Sequence, residues 1–413
     1  MIDLETLPNA QRRALELVRE VAAEKDCRPY LVGGPVRDLL LGREAIDVDL
    51  TLEEGASSLA RGLAKRVDGR VRSFPQFLTY KVTAAGLPDI DIATARKERY
   101  RHPGALPTVT AGHLKDDLFR RDFSVNAIAF DILTGELHDP TGGEGDLDAR
   151  QVRVLHDASF LDDPTRVFRA LRLSGRLGFT FEKRTEALMQ AAIEGGAMQT
   201  VSKERLWHEV FLAMDEIDAP NILATIASSG ACSPMFEGPA PSAFLHRCLE
   251  VVQNQIQSVP ELDRQVLYTA ALLHGNASPI DLEGSGFSQK RARNVVQIAN
   301  ELPRFTDALA EATSERQRLR LLKVASPEML SVLAATVPRE QPFVARYQEF
   351  LNFRIPLRGN ELEVPLGPHV AHALERTREA VFTGEIPPDQ ARTFAREMAI
   401  KYLHREQTAE IKG

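Results

Sequence analysis

The chain is short of the residues that mark several protein classes. It has three cysteines in 413 residues, Cys27, Cys232 and Cys248, far apart and in no C-x-x-C or Cys/His spacing. That argues against a disulfide framework or a zinc site and fits a reducing cytosol. No run of about 18 uninterrupted apolar residues is present, which excludes a membrane-spanning helix. The opening MIDLETLPNAQRRAL carries acids early and no apolar core, so no signal peptide is expected and a cytoplasmic location is. Methionine and tryptophan are scarce, seven and one, so the helices carry no organic-cofactor signature. Positive charge is also lacking: the net charge is −7. Net charge sets only the far field, however, and a basic groove on an acidic body can still hold phosphates. Local basic clusters are therefore the features to seek.

What is present divides the chain in two. A length of 413 residues suggests two to four domains. Up to about residue 140, short strands alternate with helices and Gly/Pro turns. PYLVGG, AIDVDLTL, GRVRSF, FLTYKVTA, DIDIATA and VNAIAFDIL read as extended segments of a mixed α/β domain of roughly five strands. From about residue 158, amphipathic runs such as DPTRVFRALRLSGRLG and KERLWHEVFLAMD dominate, and the remainder reads as helices with loops between them. No fixed-period repeat supports a solenoid.

The chemistry concentrates in the first part. In LVGGPVRDLLLGR (31–43) a strand ends at Gly33-Gly34, Pro35 opens a helix and Gly42 closes it. Backbone N–H groups at such a junction can approach a triphosphate closely, with Arg37 one turn in. Alone, this would be an ordinary strand–turn–helix joint. Its neighbour gives it weight: in Asp47-Val48-Asp49-Leu50 the two carboxylates share one strand face while Val48 and Leu50 point to the core. Paired carboxylates can hold Mg²⁺. Two such ions can activate a 3′-hydroxyl and stabilise leaving pyrophosphate. Asp89-Ile90-Asp91 repeats the alternation, making Asp91 either a third carboxylate or part of a solvated strand face.

Two further motifs follow. In DDLFRRDFSVNAIAFD (116–131), Arg120 and Arg121 are candidates for triphosphate or primer contact. Asp122 is placed to brace an arginine, and Asn126, expected within the strand, to orient a ribose hydroxyl. Asp162-Asp163-Pro164-Thr165-Arg166 opens a helix. Its bland reading is an acidic cap and an Asp163–Arg166 ion pair. Its sharper reading is base selection: cytosine and adenine both present an amino donor beside a ring-nitrogen acceptor, which one Asp and one Arg satisfy together. Guanine and uracil present the inverse pattern and would leave buried groups unpaired. Arg169 and Arg172 continue at three-residue steps and are expected to meet phosphate or RNA.

In this order and spacing, GGPVRDLLLGR…DVDL, RRDFSVNAIAFD, DDPTRVFRALRLSGRLGF and SKERLWHE resemble the class II tRNA nucleotidyltransferases and bacterial poly(A) polymerases over residues 28–212. RGNEL…LGPHV (358–370) resembles their tail. The resemblance implies an α+β protein. A polymerase-beta-like nucleotidyltransferase head with a mixed sheet (1–145) would precede an all-helical neck (146–215), body (216–335) and tail (336–413), in a seahorse-like form. It implies Mg²⁺ on Asp47 and Asp49, and a nucleotide held by Gly34, Arg37, Arg121, Asp163, Arg166, Arg169 and Arg172. It also implies template-independent addition of C and/or A from CTP and ATP to the tRNA 3′ end. No protein partner is evident.

Three departures bear on that reading. The family's Glu-Asp-x-x-Arg is here Asp162-Asp163-x-x-Arg166. TAALLHGNASP (269–279) is similar to the LLHD run of HD domains, but Gly275 stands where the metal-binding aspartate would be, so phosphohydrolase activity centred on His246 and His274 is not expected. The segment 96–114 departs from the family's usual flexible loop, which leaves CC, A and full CCA addition open. A poly(A) polymerase is the rival; the chain closes on TAEIKG without such polymerases' basic extension, so tRNA is the expected substrate. A retired, non-catalytic RNA-binding scaffold is the remaining alternative. The basic runs SQKRARN (288–294) and SERQRLRLLK (314–323) are candidates for tRNA contact or simply solvated helix faces.

Overall fold

The computed structural model describes residues 4, 7–44, 47–236, 243–274 and 282–410, with backbone alone at 243 and 406–410. Gly275, where an HD aspartate would stand, lies outside the described residues. The chain forms two compact units, Met1–Pro241 with Asp281–Gly286, and Ser242–Ile280 with Phe287–Gly413.

Strands of the first unit are β1 (Tyr30–Val32), β2 (Val48–Leu52), β3 (Arg70–Phe74), β4 (Thr79–Thr83), β5 (Ile90–Thr94), β6 (Arg96–Arg99), β7 (Thr108–Ala111), β8 (Ala129–Asp131), β9 (Leu137–His138), and a short parallel pair, β10 (Gln151–Val152) and β11 (Thr180–Phe181). Seven make one mixed sheet in the order β3-β4-β5-β2-β1-β8-β9, while β6 and β7 form a separate antiparallel hairpin. Within the sheet, β2 and β5 are parallel and the other pairs antiparallel. The sheet is wider than the roughly five strands expected; its outermost strand, β9, has two residues and too short a pattern to register in the sequence. The hairpin was not expected either, because RKERYRHPGALPTVTA offers no apolar alternation.

Helices follow the apolar spacing. They are α1 (Asn9–Lys25), α2 (Gly34–Leu40), α3 (Ala56–Arg66), α4 (Leu114–Phe119), α5 (Gly143–Asp148), α6 (Ser159–Asp162), α7 (Thr165–Leu177), α8 (Lys183–Glu194), α9 (Lys203–Met214) and α10 (Ala219–Ser228). Leu15, Val18 and Ala22 of α1 and Leu59 and Leu63 of α3 recur every three or four residues and are buried. Each such leucine contributes roughly 1.5–3 kcal/mol by leaving water. Leu114 and Leu118 of α4 close over Tyr30, Val32, Ala127 and Ala129. Helix α7 buries Val167, Phe168 and Leu171, and packs on α9 and α10. These contacts fix α7 and α9, which carry the charged side chains described below.

The second unit is all helical in its described residues: α11 (Ala243–Ser258), α12 (Arg264–Leu272), α13 (Gln289–Glu311), α14 (Glu315–Leu322), α15 (Pro327–Thr336), α16 (Gln341–Asn352), α17 (Pro368–Phe382) and α18 (Ala391–Glu410). Ser288, Ser314 and Ser326 cap α13, α14 and α15 by accepting from backbone N–H groups, each typically worth about 1 kcal/mol. Among the described residues no helix is long and apolar enough to cross a membrane. The molecule is α+β, a mixed-sheet head followed by helices.

Candidate active site

Strands β1 and β2 are antiparallel, with Leu31 opposite Leu50. The end of β1, where Gly33-Gly34 turns into α2, therefore lies beside the start of β2. Asp47 immediately precedes β2 and is exposed; Asp49, within it, is half-buried, while Val48 and Leu50 are buried on the other face. Parallel pairing sets Asp49 against Asp91 on β5. The Asp91 carboxylate also accepts a hydrogen bond from Lys81 Nζ at 2.7 Å, and Asp89 lies 3.6 Å from the same amine. Burial, then the charges of Asp47 and Asp91, push the Asp49 carboxyl up to about 6, against the pull of Arg121 and Lys81. A half-buried carboxyl crowded by like charge is a place where a hard divalent cation fits. No group of three or more His, Cys, Asp or Glu forms a ready-made cage among the described residues.

Gly33 adopts φ 76° and ψ −134°, and a Cβ there would stand 2.9 Å from Arg121 Nη1. Only glycine suits that backbone and that close approach. Arg37, in the first turn of α2, is buried. Its Nε and Nη2 donate to the two oxygens of Asp38 at 2.9 Å each, and Nη1 donates to Asn126 Oδ1 at 2.6 Å. Three of its five N–H groups are thereby used, leaving two for a ligand. Asn126 sits in the 3₁₀ turn Ser124–Asn126 rather than in a strand, because its N–H turns back to the Phe123 carbonyl at 3.0 Å. Its amide nitrogen donates to Asp122 Oδ1 at 3.1 Å, so the side chain bridges Arg37 and Asp122.

Asp122 does brace an arginine. Its Oδ2 accepts from Arg169 Nε at 3.0 Å and Nη2 at 2.5 Å. Burial opposes its charge, but the Arg169 guanidinium and the Asn126 amide hold the carboxyl well below the usual range. Arg120 and Arg121 both grip Asp117, which has no exposed surface: Arg120 Nη2 donates to Oδ1 at 2.7 Å and Arg121 Nη2 to Oδ2 at 3.0 Å. Arg120 Nη1 also donates to Glu98 Oε1 at 2.9 Å, and Tyr100 to Glu98 Oε2 at 3.0 Å, so β6 joins the wall. Arg121 Nε and Arg172 Nε are buried without a hydrogen-bond partner, an unmet need that a phosphate oxygen can fill.

Asp163 and Arg166 do not pair with each other. Arg166 is buried, with Nη1 donating to Ser159 Oγ at 2.7 Å and Nη2 to the Arg120 carbonyl at 2.9 Å. Asp163 accepts from Thr165 and from Arg205 of α9. The arginine stripe of α7 is held by acids: Arg172 lies 3.0 Å from Glu216 and 3.6 Å from Glu209, and Arg176 lies 3.5 Å from Asp38. Burial pushes the Glu209 carboxyl up, with Arg169 and Arg172 opposing.

One cleft of about 910 Å³ is lined by Gly33, Gly34, Arg37, Asp47, Asp49, Arg121, Asp122, Asn126, Asp163, Arg166, Arg169 and Arg172 together. Asp91 is not part of that lining; it borders a second depression with Asp47, Lys81 and Asp89. Nine arginines and seven acids line the main cleft, a local positive excess on an acidic chain. Sequence reasoning missed Asp38, Glu98, Asp117, Arg205 and Glu209. Asp117 had a signal, standing three and four residues before the arginine pair. Arg205 and Glu209 fall in the SKERLWHE stretch that carries the resemblance, but nothing local gave them a partner, and the arginine that ties Glu98 to the cleft, Arg120, is 22 residues away.

The Poly A polymerase head domain family matches residues 29–153, which contain the central strands β1 and β2 with Gly33, Asp47 and Asp49. An A-adding tRNA nucleotidyltransferase of Halalkalibacterium halodurans is 33% identical over 315 residues, covering 74% of this chain and 74% of that relative. The chain belongs to the tRNA nucleotidyltransferase family. The A-adding tRNA nucleotidyltransferase of Geobacter sulfurreducens is 29% identical over 413 residues. That alignment takes in 92% of this chain but 46% of the relative, so the chain spans about half of its length. It spans 23% of the A-adding tRNA nucleotidyltransferase of Aquifex aeolicus, at 44% identity over 192 residues. A tRNA nucleotidyltransferase solved with a primer tRNA and an incoming ATP analogue is 32% identical, with a TM-score of 0.68 over 81% of this chain and 98% of that one. In this tRNA nucleotidyltransferase family member, Asp163, Arg166 and Arg205 lie beyond the head-domain match, on the helical side of the cleft.

Proposed function

We propose that the chain adds C and/or A to the 3′ end of tRNA, taking nucleotides from CTP and ATP without a nucleic-acid template and releasing pyrophosphate. The observation that carries this is the convergence, in one cleft, of a carboxylate pair, a glycine turn with arginines, and the Asp163 and Arg166 side chains. In this reading, the Gly33-Gly34 turn, Arg37 and Arg121 hold the triphosphate. Asp163 accepts from the exocyclic amine of the base while Arg166 donates to its ring nitrogen, which suits cytosine and adenine and rejects guanine and uracil. Arg169 and Asn126 keep Asp122 and Arg37 in register rather than meeting the nucleotide directly.

Asp47 and Asp49 would hold the divalent metal, taken to be Mg²⁺ because both ligands are hard oxygens. Bound there as a pair, such ions supply Lewis acidity for the attacking 3′-hydroxyl and the leaving pyrophosphate. Asp91, tied to Lys81, supports the carboxylate field as a third acid. The division into head (1–145), neck (146–215), body (216–335) and tail (336–413), with tRNA along the helical part in the cytoplasm, belongs to the same proposal.

Addition of A alone is the second reading, favoured by the A-adding relatives from three bacteria. The test is extension of labelled tRNA primers lacking CCA, ending in CC or ending in CCA, with CTP, ATP or both. CCA on the first primer marks a complete enzyme, A only on the second an A-adding one, and long A tails a poly(A) polymerase. No incorporation on any primer removes the proposal.

A further inference from the structure

The Asp163 carboxylate is held asymmetrically. Its Oδ1 accepts three hydrogen bonds, from Thr165 N at 3.2 Å, Thr165 Oγ1 at 2.7 Å and Arg205 Nη2 at 2.8 Å. Among the described residues, no protein donor engages Oδ2. A carboxylate has roughly four lone-pair sites, and here the protein's donors all gather at one oxygen. The other oxygen remains for something that enters the cleft.

Arg205 is itself fixed from both sides. Its Nη1 donates to the Gly104 carbonyl at 2.8 Å. The Gly104 N–H reaches back to the carbonyls of Leu161 and Asp162, at 3.3 and 3.2 Å. Gly104 has φ +72°, and a Cβ there would stand 2.4 Å from Thr200 Oγ1 and 2.7 Å from the Thr200 carbonyl. The carbonyl that receives Arg205 is thus locked against the residues just before Asp163. The planar guanidinium fork spans both anchors at fixed geometry, which a lysine amine on a flexible stem cannot reproduce. Arg205 sits in the first turn of α9, whose position is set by buried Leu206, Trp207 and Val210. Its polar arms are therefore not what holds the helix in place.

We propose that Arg205 is a positioning residue for base selection: by holding Oδ1 of Asp163 it presents Oδ2 to the exocyclic amine of cytosine or adenine. This rests on the nucleotide-transfer reading above and adds a residue to it. Without Arg205, Oδ1 keeps only the two bonds from Thr165, both from one side, so the carboxylate is held less firmly and the acceptor aimed at the amine loses its fixed direction. Arg205 touches neither phosphate nor carboxylate pair in this reading, so its removal should weaken choice and binding of the nucleotide more than turnover.

The test compares wild type, Arg205→Ala, Arg205→Lys and Asp163→Ala in single-nucleotide addition to tRNA primers. ATP and CTP are each measured against GTP and UTP, with melting temperatures taken in parallel. Arg205→Ala should raise KM for the accepted nucleotide about tenfold and lower discrimination by roughly 10- to 100-fold, with kcat within about threefold. Asp163→Ala should show the same loss of choice, and combining the two should add little. Arg205→Lys, which keeps a charged donor but not the fork, should recover part of the discrimination; it carries the test if the alanine variant does not fold. Unchanged discrimination in a folded Arg205 variant overturns the proposal, as does a fall in kcat with KM and selectivity intact. Wild-type protein that transfers no nucleotide overturns the transfer reading itself, a result separable from either.

Discussion

Asp49 carries a cost in the metal-free protein that its chemistry explains. An aspartate in an unfolded chain titrates near about 3.9, whereas here burial and its acidic neighbours push the carboxyl up to about 6. Between those values the folded state binds more protons than the unfolded one, so stability falls as pH rises through that window. With screening allowed for, the loss is on the order of 1–2 kcal/mol. Asp49→Asn should therefore abolish transfer and yet be more stable than wild type at pH 7.5 in EDTA, with the two converging at about pH 3.5, below the unfolded pKa. Urea denaturation at both pH values checks this, and Mg²⁺ should narrow the gap at pH 7.5. Gly33→Ala should cost about 1–3 kcal/mol and raise nucleotide KM, because φ 76° with ψ −134° and the 2.9 Å approach to Arg121 both exclude a side chain. Thermal melts and steady-state kinetics read both effects. At this scale the sequence was informative where chemistry is local. A strand period placed Asp49, a glycine pair placed the turn, and Asp47, expected on the same strand face, stands just ahead of the strand. Of the three oxygens that grip Arg37, two belong to the adjacent Asp38 and the third, Asn126 Oδ1, was not legible, since Asn126 comes from 89 residues away.

Helix α7 is where spacing and partnership part company. Its three-residue arginine steps describe a curling stripe, but spacing gives no sign of the acids that hold Arg169 and Arg172, or of the buried Nε that Arg172 keeps open. Asp122 and Glu209 take Arg169, and Glu209 and Glu216 take Arg172. Choice of ion-pair partner is a tertiary matter that helical periodicity cannot encode. Asp122 lies at the junction of this stripe with Asn126 and Arg37, so its removal should propagate. Asp122→Ala is expected to destabilise the first unit by about 2–3 kcal/mol, somewhat less than a fully buried pair would lose because Arg169 is half exposed. Its ionised form contributes stability above the unfolded pKa of about 3.9, a contribution lost as pH falls through and below that value. Urea unfolding of wild type and variant should therefore differ most above pH 5 and converge in acid. The β6–β7 hairpin was missed for a different reason: its strands are polar on both faces, and Glu98 is held by arginines rather than by apolar packing.

For the whole molecule, a net charge of −7 and a cleft lined by nine arginines are compatible because the charges are spatially sorted. The run SERQRLRLLK shows the converse. Arg316, Arg318, Arg320 and Lys323 lie against Glu379, Glu340 and Glu375 inside the second unit, so much of its apparent RNA-binding charge is already matched. Arg318→Gln should accordingly lower the stability of that unit by about 2–3 kcal/mol, since Glu340 is buried. It should leave RNA affinity within about twofold, measured by filter binding at fixed salt. Domain character was readable from the sequence because the switch from strand alternation to helical runs near residue 158 reflects two different ways of burying apolar area. Sheet width and order were not, because a two-residue edge strand has no pattern and strand neighbours are chosen by packing. The cleft is assembled from two stretches of chain: Gly33, Asp47 and Asp49 stand on a segment of fewer than twenty residues, whereas Asp163, Arg166 and Arg205 come from helices that begin more than a hundred residues later. On the proposed reading, such a layout makes the protein evolvable, because base preference can drift through substitutions in the helices while the carboxylate strand is inherited unchanged.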